Sequence, residues 1–128
     1  MRRIVTNQPC RTIHFLHSCG DGREDHGEEV ARYVIHFEGG TSEEVPVIIG
    51  KDMVVDWLHQ ATPQHLSGIE HIAWRQPFRK SDGSTGELAL SRQTWEIKLE
   101  NRDKIVTHID FISAEKLAAP ALVAITVE

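Results

Sequence analysis

Residues 30–49 constrain this chain more than any other stretch. In Val30-Ala31-Arg32-Tyr33-Val34-Ile35-His36-Phe37, the residues Ala31, Tyr33, Ile35 and Phe37 recur at every second position. Successive side chains of a strand point to opposite faces, so this spacing puts all four on one face of an extended segment. Glu38-Gly39-Gly40-Thr41 follows, with two glycines able to take the positive φ that a tight turn demands. Glu44-Val45-Pro46-Val47-Ile48-Ile49 then returns. Pro46 has no N–H to give a ladder, so this second strand is expected at a sheet edge or bulged there.

The same logic extends along the chain. Residues 11–17 alternate, with Ile13 and Phe15 on one face, and residues 87–90, 94–99, 105–112 and 122–127 are runs of strand length. Helical candidates are residues 51–59 and 114–119, both short. Residues 20–27 and 81–86 are rich in turn formers. Many short strands separated by turns, without βαβ alternation, predict an all-β chain folded as an antiparallel two-sheet β-sandwich with one or two short helical turns. The length of 128 residues suits one domain over 1–128 with a real core.

Charge and hydropathy narrow the partners. A net charge of −5 argues against nucleic acid, which demands a basic surface. No apolar run reaches the length of a membrane span, so membrane insertion is not expected. Met1-Arg2-Arg3-Ile4-Val5-Thr6-Asn7 has a basic pair but no apolar stretch after it, unlike a signal peptide. The expectation is a cytoplasmic protein or an excised module of a longer secreted one. Two cysteines, Cys10 and Cys19, are too few for a disulfide framework, and free thiols are expected rather than a bridge between them.

Catalytic and metal-binding patterns are sparse. Residues 17–29 contain His17, Cys19, Asp21, Asp25, His26 and Glu28, all of ligating type, but in no recognised spacing. Asp21, Arg23 and Asp25 alternate as in a calcium loop, with Arg23 where an acid belongs. The expectation is a solvated loop, with Asp21, Asp25 and His26 as the metal candidates. Eight histidines are spread over the chain. His14, His36 and His108 fall opposite the apolar faces of their strands and are expected on the solvent side. Ser18-Cys19-Gly20 lacks the frame of a nucleophile turn. Carboxylate pairs exist in Asp52 with Asp56 and Glu96 with Glu100, but nothing ties either to a cleft, and Asp52 is equally natural as a cap. No catalytic residue is assigned.

The tryptophans carry the strongest functional lead. Trp57, Trp74 and Trp95 each lie near a strand-like run, beside charged or hydrogen-bonding neighbours. An indole there either closes the rim of a sandwich core or stacks on a flat ligand. Asp52, Asp56, Arg75 and Glu96 would supply the hydrogen bonds that sugar hydroxyls need beside an aromatic platform.

The succession Ile13-His14-Phe15-Leu16-His17, Tyr33-Val34-Ile35-His36-Phe37, Pro46, Gly50-Lys51-Asp52, Asp56-Trp57, Ala73-Trp74-Arg75, Thr94-Trp95-Glu96, Ile109-Asp110-Phe111-Ile112-Ser113-Ala114 and Ala119-Pro120-Ala121-Leu122-Val123-Ala124-Ile125-Thr126-Val127 resembles the small jelly-roll modules of the galactose-binding-like and carbohydrate-binding type, appended to larger bacterial proteins. The resemblance implies two antiparallel sheets, usually no catalysis, a ligand on loops at one end of the sandwich, and a structural calcium as a common feature. It transfers no ligand residues. The expected function is a non-catalytic module that binds carbohydrate. The alternative is a structural or protein–protein interaction domain with its tryptophans in the core, and third stands a small metal-dependent hydrolase built on residues 17–29.

Overall fold

A computed structural model of the chain describes residues 2–20, 27–49, 51–53, 58–59, 72–79, 81–115 and 119–128. Their strands are β1 (Arg2–Gln8), β2 (Thr12–Gly20), β3 (Glu29–Phe37), β4 (Ser42–Ile48), β5 (Leu58–His59), β6 (Ile72–Arg79), β7 (Thr85–Glu96), β8 (Val106–Ser113) and β9 (Ala119–Val127). They form an antiparallel two-sheet β-sandwich. The first sheet has the order β1-β8-β3-β4; the second runs β5-β7-β2-β9, with β6 also paired to β7.

The expected alternation of β3 holds along the strand. Ala31, Tyr33, Ile35 and Phe37 are buried, and they face Ile13 and Phe15 of the opposite sheet across the core. The Phe15 and Tyr33 rings stack with centroids 3.8 Å apart, and Phe111 of β8 also stacks with Tyr33, at 4.9 Å. This aromatic column joins the two sheets, and each such side chain removed from water contributes about 2 kcal/mol. The turn after β3 has Gly39 at φ 86° and Gly40 at φ 93°, as its two glycines allow. Strand β4, with Pro46, lies at the edge of its sheet.

Three expectations change. Residues 87–90 and 94–99 are not separate strands: one strand of 12 residues, β7, runs through Ser91-Arg92-Gln93. The inward parity never breaks, since Ala89, Ser91 and Ile97 are buried and Gln93 and Trp95 half-buried; two of the inward positions are merely polar. The second change is β1, which alternates too weakly to read as a strand and is the far edge of the first sheet. Third, neither helical candidate is a helix where it is described. Lys51 and Asp52 form a single turn on the Ile48 carbonyl, Met53 bridges back to Ile49, and Leu58–His59 is strand. Ala119 is already extended in β9, as the residue before Pro120 prefers. The helical turn among the described residues is instead a 3-10 turn, Leu99–Asn101. No helix among them is long and apolar enough to cross a membrane.

Candidate functional site

The sandwich is open on the side where β4, the edge of one sheet, faces the second half of β7. Pairing Ile13 with Trp95, Phe15 with Gln93 and His17 with Ser91 turns these β7 side chains inward. Two of them reach across to β4. Gln93 Nε2 donates to the Pro46 carbonyl at 2.9 Å, and Trp95 Nε1 donates to Glu43 Oε1 at 3.1 Å. Glu43, 3% exposed, also accepts from the Lys98 amide and, at 2.7 Å, from Asn101 Nδ2. The buried carboxylate therefore fixes the Trp95 ring and the 3-10 turn together.

Above these bonds lies a groove of about 300 Å³. The half-buried Trp95 ring with Pro46 and Ile48 forms its apolar part. Lys51 and Asp52 line it from the turn after β4, and Arg92, Gln93 and Thr94 from β7. Gln93 Oε1 is a buried acceptor without a partner among the described residues.

A buried relay supports the Lys51–Asp52 turn from below. His17 Nε2 is 2.6 Å from the Asp52 carbonyl and His17 Nδ1 is 2.7 Å from the Tyr33 hydroxyl. A carbonyl only accepts, so Nε2 carries the proton and Nδ1 accepts from Tyr33. Ser91 Oγ donates to the same carbonyl at 3.1 Å, and the Asp52 carboxylate accepts the Ile48 amide at 3.0 Å. Burial pushes His17 down to about 4, although the Asp52 carbonyl favours its protonated form, and burial raises the Tyr33 hydroxyl well above its ordinary value. Both groups stay neutral at pH 7.

The structure brings Asp52 and Trp95 into one groove and places Trp74 and Glu96 outside its lining. Trp74, 43% exposed, lies on β6 outside the groove lining. Glu96 is exposed and alternates to the opposite face of β7 from Trp95. Arg75 pairs with Ala89 through its backbone, and its side chain lies outside the described residues, as do Asp56 and Trp57 and the metal candidates Asp21, Asp25 and His26. His17, expected in a polar loop, is instead a fully buried member of β2, because Ile13, Phe15 and His17 share one parity. Cys10 is a buried free thiol, its pKa raised by burial and by the nearby Glu43 charge. Expected on the solvent side, His14, His36 and His108 are indeed half-exposed there. Lys51, Arg92, Gln93 and Glu43 went unremarked in the sequence. Gln93 and Glu43 carried a legible signal, since each occupies an inward position in an alternating strand. Compared with known protein families, curated proteins and solved structures, the chain matches none.

Proposed function

We propose that this protein is a non-catalytic binding module and that the groove between β4 and β7 takes a carbohydrate. The observation that carries this reading is the meeting of a half-buried indole with Lys51, Asp52, Arg92 and Thr94 in one groove. An apolar wall ringed by a few fixed donors and acceptors is the usual make-up of a small-ligand site. Because Trp95 Nε1 is bonded to Glu43, the indole offers its ring and not its N–H. The Asp52 carboxylate accepts the Ile48 amide, a bond that fits an orienting role better than acid–base chemistry. The resemblance to galactose-binding-like modules points the same way. A glycan array followed by titration of the best binder tests it. Replacing the exposed Arg92 with Ala should weaken that binding about tenfold, the equivalent of about 1.4 kcal/mol. An array without a binder, or an Arg92→Ala variant with unchanged affinity, would remove the support.

The second reading, a structural or protein-interaction domain, is favoured by the same Trp95–Glu43 bond, which gives the indole a structural duty. Under that reading the array is silent.

A further inference from the structure

The outer face of the first sheet carries a second constellation, remote from the groove lining. His36 of β3 and His108 of β8 are direct cross-strand partners, and their rings stack with centroids 4.2 Å apart. Asp110, two positions along β8 on the same face, places Oδ2 3.0 Å from His36 Nε2. From β1, Arg3 Nε donates to Asp110 Oδ1 at 2.9 Å. Although this face is turned to solvent, Asp110 is only 4% exposed.

A bulge adjoins the arrangement. The β8 register against β3 jumps from His36–His108 to Phe37–Val106, leaving Thr107 as the extra residue. Thr107 Oγ1 donates to the His36 carbonyl at 3.2 Å and lies 3.0 Å from His108 Nδ1. With the hydroxyl proton engaged, His108 Nδ1–H must be the donor to Oγ1, which leaves His108 Nε2 with its lone pair. One ligating atom from each of His36, His108 and Asp110 lies within 4.8 Å of the others.

We propose that His36, His108 and Asp110 form a divalent transition-metal site of the Zn²⁺, Cu²⁺ or Ni²⁺ class. Two imidazoles and one carboxylate suit these ions, whereas Ca²⁺ and Mg²⁺ demand more oxygen ligands. The ion takes the place of the proton shared by His36 Nε2 and Asp110 Oδ2, the His36 ring adopts its other tautomer, and the two stacked rings tilt out of parallel so that both in-plane lone pairs meet the ion. Thr107 remains as the outer partner that holds a ligating ring in place. Arg3 bonds chiefly to the opposite oxygen, Oδ1, and its side chain is 56% exposed, so it can move away from the added charge.

Calorimetric titration of the full chain with Zn²⁺ tests the proposal. One equivalent should bind to the parent protein. That site should weaken at least about tenfold in His36→Ala and in His108→Ala, and persist in His14→Ala, a half-exposed histidine of the other sheet. His36→Gln and far-UV circular dichroism guard against a folding defect. No uptake of Zn²⁺, Cu²⁺ or Ni²⁺, undiminished uptake in both variants, or loss in only one of them overturns the proposal.

Discussion

Glu43 is the residue on which one end of the sandwich turns. Its carboxylate serves Trp95 Nε1, the Lys98 amide and Asn101 Nδ2 from inside the core. Glu43→Ala would leave these buried donors without an acceptor, and a loss of about 3 kcal/mol is expected from the desolvation of unpaired polar groups. Urea unfolding measures it, and a loss under about 1 kcal/mol would mean that water replaces the carboxylate without penalty. The sequence held half of this arrangement. Glu43 shares the inward parity of Val45 and Val47, so its burial was legible once the strand began at Ser42 instead of Glu44. Its partners were not, because Trp95 and Asn101 reach it only through the apposition of two sheets. His17 shows the same division. Its parity with Ile13 and Phe15 was a signal for burial, but its residue type pointed to a polar loop, and two hydrogen bonds are what let the ring be buried.

At the scale of the element, β4 shows how an exposed sheet edge is kept harmless. The N–H and C=O of a strand residue point to the same side, and the Pro46 carbonyl accepts from Gln93 of the opposite sheet. The Pro46 nitrogen therefore faces the outer edge, and proline removes a donor there without removing a bond to β3. Pro46→Val should leave stability within about 0.5 kcal/mol while restoring a donor on an open edge. The expected outcome is concentration-dependent self-association in light scattering, and a variant that stays as monodisperse as the parent would refute the edge argument. Strands of strong alternation, β2, β3 and β4, were legible to within a few residues. Strand β7 was seen as two pieces because Ser91 and Gln93 fill inward positions that usually hold apolar residues, and each makes a bond invisible in one dimension. The groove depends on that same middle stretch, so the site was read less completely than the fold. Only Asp52 and Trp95 of its lining were anticipated.

The whole molecule should reveal its buried relay through the pH dependence of stability. His17 has an ordinary value of 6.5 and a folded value of about 4, so between these limits the unfolded chain binds more protons than the folded one. Stability is then fully present above about pH 6.5 and falls as the pH drops towards 4. The difference of about 2.5 pH units corresponds to a loss of about 3 kcal/mol. His108, lowered by desolvation and by the charges of His36 and Arg3, acts in the same direction, weakly because solvent screens a half-exposed ring. Asp110 works in a different window. The hydrogen bond from Arg3, opposed by desolvation, holds its carboxyl below the ordinary 3.8, so its contribution persists until the pH falls under that value. Urea midpoints at pH 7.5, 6, 5 and 4 should thus trace a plateau and then a steep decline centred between 6.5 and 4. His17→Gln cannot titrate and should flatten that decline while lowering the plateau, since glutamine cannot reproduce both bonds of the ring. If the parent and His17→Gln curves run parallel, protonation of His17 is not what acid attacks, and if their plateaus also coincide, the tie from Tyr33 through His17 to the Asp52 turn is not what holds the floor of the groove to the core.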